Sequence, residues 1–317
     1  MLRYIVKRFF QSMLTVLLVV SVVFLLLRLM PTDYYFTEEQ LIKFTDEQKN
    51  DMLKAAGLLD NPFVQLGRYF KNMILEGDLG ESRRIMNGKP VVEVIGDKFA
   101  VSMKLGLIAL GISLVVGVVI GIFQARFKDG IFDNVGTAYT VFVNAVPGLV
   151  SYSLILIFGA RVLGLPSMYS MRKPFDSSIL PVVCLSIGSI AGYMLWMRRY
   201  MVDEINKDYI RLAKLKGLSD SQVMFRHVMK NAFLPMAQFL PQSVLTTVGG
   251  SLLIERFFAI PGMGPLLTDS ISKYDFNLVQ ALIMLYASLG VFGLFLGDLL
   301  LGILDPRIQL TGKGGTR

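Results

Sequence analysis

Six stretches of the chain are apolar for about as long as a helix needs to cross the hydrocarbon of a bilayer, roughly 20 residues at 1.5 Å each. They cover residues 9–27, 105–123, 135–160, 179–197, 232–254 and 278–304. Only the last contains a charged residue, Asp298. Hydrophobic residues fill 53% of the 317 positions, too many for a soluble domain of this length to clothe with polar side chains. The pattern predicts an all-α membrane protein with six transmembrane helices.

The charges then orient the spans. Arg3, Lys7 and Arg8 precede the first run, which is long and has no small-residue cleavage pattern, so it is read as a retained helix rather than a signal peptide. With that end inside, residues 126–134, residues 198–231 and the tail from Asp305 are cytoplasmic, and they carry most of the bases near the spans. Both termini are therefore expected inside. The net charge of +8 follows from this positive-inside bias and does not point to nucleic acid. One Cys, Cys184, excludes an intrachain disulfide, and one His, His227, excludes a histidine-based zinc centre.

Four regions follow: residues 1–30 with the first helix, an external insert at 31–100, a transmembrane core at 101–304, and a tail at 305–317. Within the insert, residues 36–59 and 62–75 mix acids with spaced apolar residues and predict short amphipathic helices.

The loop at 198–231 ends in a basic segment whose sequence over 208–235 is DYIRLAKLKGLSDSQVMFRHVMKNAFLP. At helical spacing Lys207, Arg211 and Lys214 form one stripe, with Ile205, Tyr209 and Leu212 opposite. Lys216 stands on the apolar side, where a helix end lets it snorkel. Gly217 is the natural stop. Ser219 opens a second helix with Gln222 completing a capping box. There Met224, Phe225, Val228, Met229 and Ala232 share a face, and Arg226, His227 and Lys230 share the other. Two short amphipathic helices joined at Gly217 are expected, with Leu234-Pro235 leading into the fifth span. Pattern alone leaves two roles open: lying on anionic lipid, or docking a soluble partner.

Ala213, Gly217 and the closing Leu234-Pro235 resemble the cytoplasmic loop of ABC importer permeases, although the Glu of its Glu-Ala-Ala opening is absent. The whole segment resembles the loop of the oligopeptide/dipeptide/nickel branch, which begins Asp-Tyr-Ile/Val-Arg-Thr-Ala-Arg-Ala-Lys-Gly-Leu. GDLGES at 77–82, ERFFAIPGMGPLL at 255–267 and LDPRI at 304–308 resemble further motifs of that branch, while RLMPTDYY departs from its usual turn after the first span. The large external insert resembles that of the first, B-type, permease subunit.

This resemblance implies the type I ABC importer transmembrane fold in a bacterial cytoplasmic membrane. It implies uptake of oligopeptides or dipeptides delivered by an extracellular or periplasmic solute-binding protein. The implied partners are a second homologous permease and two ATP-binding cassette ATPases, which bind ATP and Mg. This chain itself would hold no cofactor and catalyse nothing, and it lacks the phosphate-binding loop; GKGGT at 312–316 does not have the spacing. Arg211, Ala213, Lys214, Lys216, Gly217, Leu218, Ser219, Leu234 and Pro235 would form the element that couples to an ATPase. Nickel or another small solute is the alternative cargo. A secondary transporter is the alternative class, but it needs paired intramembrane charges or inverted repeats.

Several residues are candidates for the solute pathway or its outer gate. Asn144 and Pro147 suggest a break in the third span. Glu255, Arg256, Pro261 and Gly262 follow the fifth. Asp298 either ties helices together or meets the solute. Gly117-x-x-x-Gly121 suits close helix packing.

Overall fold

The computed structural model describes residues 2–36 and 38–304. The tail from Asp305, with the rest of LDPRI, Arg307 and GKGGT, lies outside the described residues. In chain order the elements are α1 (Leu2–Arg28), a 3₁₀ turn (Thr32–Tyr35), α2 (Glu38–Lys43), α3 (Asp46–Ala55), α4 (Pro62–Leu75), the hairpin β1 (Glu81–Ser82) and β2 (Lys89–Pro90), α5 (Val91–Arg126), α6 (Ile131–Ala145), α7 (Gly148–Arg161) and α8 (Pro174–Ile205). After these come α9 (Asp208–Leu215), α10 (Asp220–Val223), a π turn (Met224–Val228), α11 (Met229–Val248), α12 (Leu252–Phe257), α13 (Met263–Ser272) and α14 (Phe276–Leu304).

Four described helices are long and apolar enough to cross a membrane: Tyr4–Arg28 of α1, α5, α8 and α14. The third expected span is not one straight helix, because α6 and α7 meet at 109°. Pro147 lies at the corner as the N-cap of α7, where its missing N–H breaks no helical bond. The fifth expected span, 232–254, is corrected. Its helix, α11, stops at Val248, and Gly250 then turns the chain at φ 84°. At 20 residues, roughly 30 Å, α11 is long enough to span, but Gln238, Gln242, Ser243, Thr246 and Thr247 leave it less apolar than the other four.

The described chain forms two compact units. The first takes the start of α1 up to Phe9, Phe99–Pro265, and α14 from Phe292. Its α5 and α8 touch through the expected glycines. A Cβ on Gly117 would lie 2.7 Å from Tyr193 Cβ, and one on Gly121 would lie 2.7 Å from the Met194 carbonyl. One core cluster gathers Met197, Met201, Ile210, Ala213, Val223, Val228, Ala232 and Met236, so methionines here fill apolar space. Another contains the buried Cys184, which packs against its neighbours as expected.

Two ion pairs tie this unit together. Arg198 of α8 donates from Nε and Nη2 to the two carboxylate oxygens of Asp133 in α6, at 2.5 and 2.7 Å. Gln124 of α5 donates to the Asp133 carbonyl at 3.1 Å. Asp298 pairs with Arg8 at 3.1 Å and accepts from Gln238 at 3.3 Å.

The second unit takes Phe10–Lys98 and Leu266–Val291. The amphipathic helices expected at 36–59 and 62–75 are present as α2, α3 and α4. Thr45 and Gln48 form a capping box on α3, and Asn61 caps α4 with Pro62 in its first turn. The GDLGES stretch places Gly77 and Gly80 at positive φ, and its last residue, Ser82, donates to Asp275 at 2.6 Å. The same Asp275 oxygen accepts from the N–H groups of Arg84 and Ile85. Arg28 leans over Phe24, 4.6 Å from the ring centre, and donates to the Tyr35 hydroxyl. The departure at RLMPTDYY is thus a 3₁₀ turn held by Arg28.

Candidate functional site

The basic segment folds as a helix pair around Gly217. The Gly217 N–H bonds to the Lys214 carbonyl at 2.9 Å and the Leu218 N–H to the Ala213 carbonyl at 3.4 Å, the paired pattern that closes a helix on a left-handed residue. Gly217 supplies that residue at φ 84°, and a Cβ built there meets nothing within 4 Å. Ser219 and Gln222 form the expected capping box on α10. Lys214 reaches across the turn to Asp220 at 2.9 Å and draws that exposed carboxyl below its usual pKa.

Three details differ from the sequence expectation. Ile205 ends α8, and the chain breaks at Asn206 and Lys207 before α9 begins. The face of α9 turned to the protein is Ile210 and Ala213, while Leu212 and Leu215 are 58% and 83% exposed beside Arg211, Lys214 and Lys216. The second helix is not short, since α10 runs through the π turn into α11. Over a π turn, residues five apart share a face, so Val223 and Val228 are both buried and Phe225 is exposed. Leu234 and Pro235 consequently lie inside α11 rather than leading into it.

A buried acid anchors the pair. Glu204, at the end of α8, takes the Tyr209 hydroxyl and the Lys207 ammonium, the latter at 2.5 Å, and Asn231 donates to the Tyr209 oxygen at 2.7 Å. Sequence reading missed Glu204 and Asn231. The available signal was an acid at the end of an apolar run, four residues before Asp208.

The pathway candidates fall into three places. Asn144 bonds back to the Thr140 carbonyl at 2.8 Å, just before the Pro147 corner, and lines a cleft of about 550 Å³ with Gln124, Thr140 and Arg198. Asp298 is held by Arg8 and Gln238. Glu255 is buried in α12, and its carboxylate accepts from the N–H groups of Ser251 at 3.2 Å and Gly264 at 2.8 Å, and from Ser102. Ser102 in turn accepts from the Met263 N–H at 2.8 Å. A Cβ on Gly262 would lie 2.4 Å from the Glu255 carboxylate, so the glycine is what lets this turn close over the acid. Pro261 is half-buried and Arg256 exposed, so the four residues do not share one surface.

Burial pushes the Glu255 carboxyl above its usual pKa, and its hydrogen bonds recover part of the shift. A raised folded pKa means that the native state binds the proton more readily than the unfolded chain. Stability from this group is therefore greatest below the ordinary carboxylate pKa and declines as pH rises through the folded value. Thermal melts in detergent across that range should show this decline in the wild type, and Glu255→Gln should remove it. An identical pH profile in the variant would assign the slope to other groups.

Comparison with known proteins gives these features a family. Residues 117–310 match the model of the binding-protein-dependent transport system inner membrane component. The chain belongs to this family. This permease is 33% identical over 310 residues to the dipeptide transport system permease protein DppB of Lactococcus lactis subsp. cremoris, covering 98% of the present chain and all of the relative. It is 32% identical to the Bacillus subtilis protein of the same description, over 99% and 100% of the two chains. It is also 29% identical to the oligopeptide transport system permease protein OppB of Haemophilus influenzae, over 98% and 100%. Among solved structures, one described as an amino acid ABC transporter with histidines is 17% identical with a TM-score of 0.48, over 68% of this chain and 95% of that one. The permease is a multi-pass membrane component of binding-protein-dependent transport, and the resemblance read from its motifs is borne out.

Proposed function

We propose that this permease imports oligopeptides or dipeptides handed over by an extracellular solute-binding protein, in an assembly with a second homologous permease and two ATP-hydrolysing subunits. The similarity to dipeptide and oligopeptide permeases over essentially the full length of both chains carries this reading. The exposed face of α9 supports the ATPase contact, because it offers Leu212 and Leu215 next to Arg211, Lys214 and Lys216. A helix face that mixes exposed leucines with bases suits an apolar groove rimmed by acids. The anchor through Glu204, Tyr209 and Asn231 ties that face to the ends of α8 and α11. ATPase closure would then move the spans through a stiff joint rather than a floppy loop.

Reconstitution with the partner subunits tests the cargo. A labelled dipeptide or oligopeptide should accumulate in an ATP-dependent and binding-protein-dependent way, and accumulation of nickel instead would overturn the peptide reading. Orientation has its own check. A cysteine at Asn50, in the insert, should react with an impermeant thiol reagent from outside, and one at Ser219 should react only after permeabilisation. The opposite labelling would reverse the proposed topology.

A further inference from the structure

A cleft of about 400 Å³ opens beside Arg126, the last residue of α5, and is walled by the ends of α5 and α8 together with α9 and α10. Arg126, Lys128 and Lys214 line it, and Asp220 is the one acid among its lining residues. The lining therefore carries an excess of two positive charges. Lys214 is paired with Asp220, Arg126 reaches the Ser221 hydroxyl at a long 3.4 Å and lies over the Phe127 ring, 5.6 Å from its centre, and neither Arg126 nor Lys128 has an ion pair among the described residues. The inner wall is apolar, with buried Ile210, Val223 and Val228.

The rim has a second character. Phe123, Phe127 and Phe132 are exposed and packed in a row, with ring centres 6.5 and 5.8 Å apart, and Ile131 beside them is 83% exposed. Phe127 belongs to both the row and the cleft. Because Arg126 closes a membrane span, the row and the cleft stand where hydrocarbon gives way to headgroups, the depth at which aromatic rings and bases meet lipid.

We propose that this cleft binds the headgroup of one anionic phospholipid, its phosphate against Arg126 and Lys128 and its acyl chain along Phe127, Phe123 and Phe132. The surplus positive charge selects against a zwitterionic lipid, whose ammonium would enter beside Arg126 and Lys128. A soluble phosphate satisfies the cations but leaves the aromatic row uncovered, which favours a lipid as the source of the anion. The bound headgroup bridges α5 and the α9–α10 pair, so it stiffens their junction. The proposal is independent of the solute, and its cleft shares Lys214 with the proposed ATPase contact.

Native mass spectrometry of the full chain in mild detergent, titrated with phosphatidylglycerol or phosphatidylcholine, tests this. One phosphatidylglycerol should be retained per chain, at least about tenfold more tightly than phosphatidylcholine. Arg126→Gln with Lys128→Gln should weaken retention about tenfold or more, and Asn206→Glu should do the same by adding an acid to the wall without removing a cation. Arg172→Gln with Lys173→Gln, which changes bases outside the cleft, should leave retention unchanged. Helical circular dichroism of each variant separates lost binding from lost folding. Equal retention of the two lipids, undiminished binding by both cleft variants, or displacement of phosphatidylglycerol by excess inorganic phosphate would each overturn the proposal.

Discussion

Gly217→Asp should abolish uptake by the assembled transporter while all membrane spans insert normally. The turn requires a left-handed backbone at φ 84°, which costs most residues with a side chain about 1–2 kcal/mol but is tolerated by Asp and Asn. A Cβ there meets nothing within 4 Å, so the substitution creates no internal clash and the rest of the fold stands. What changes is the surface: a carboxylate now projects among Lys214, Lys216 and the exposed Leu215, on the face proposed to enter the ATPase. Three comparisons separate these effects. Gly217→Asn keeps the left-handed turn at little cost and adds no charge, so it should retain much of the activity. Gly217→Ala should show the backbone cost alone. Lys214→Glu loses a pair in which both side chains are more than half exposed and solvent screens the attraction, so it should weaken coupling only partly. Co-purification with the ATPases and solute-stimulated ATP hydrolysis in liposomes measure all four. Normal stimulation by Gly217→Asp would refute the coupling role and leave the pair as a lipid-surface element.

Arg198→Met should destabilise the permease by about 3–5 kcal/mol, the usual result of stranding a buried charge. Asp133 is 2% exposed, and its two oxygens take the guanidinium in a bidentate pair. Without Arg198 the carboxylate keeps only the Asp129 N–H at 2.9 Å and a marginal contact with Gln124 at 3.4 Å. Asp133→Ala should cost less, because the orphan is then Arg198, whose side chain is 27% exposed and can turn toward water. The double variant Asp133→Leu with Arg198→Met should recover a large part of the loss, since the desolvation of both charges disappears with them. Thermal unfolding in detergent gives the order. Equal losses in the single and double variants would show that side-chain packing, rather than the stranded charge, holds α6 to α8.

The features legible in the sequence are those set by neighbours within a turn or two. Apolar runs of membrane length, the capping box at Ser219, the stop at Gly217 and the corner at Pro147 all belong to this class. Each rests on local geometry or on the solvent alone: a helix cap needs a hydroxyl three residues from an N–H, and a bilayer excludes an unpaired backbone. The orientation of Phe225 escaped because a 3.6-residue period was carried through a segment that makes a π turn, and nothing local to Met224–Val228 announces the extra residue in that turn.

Pairing across the chain belonged to the tertiary structure alone. Arg8 meets Asp298, Ser82 meets Asp275, and Ser102 meets Glu255, each joining parts of the chain that hydrophobic periodicity treats as unrelated. The sequence marks Asp298 and Glu255 as expensive acids in or beside apolar surroundings, but it does not name what offsets their burial. A buried carboxylate is tolerated only where donors converge on it, and which donors converge depends on which helices lie side by side. By itself the sequence determined the membrane class, the family and the helix pair at Gly217. Only the fold decided which buried charges are satisfied, and so which residues are structural ties and which remain open to a partner.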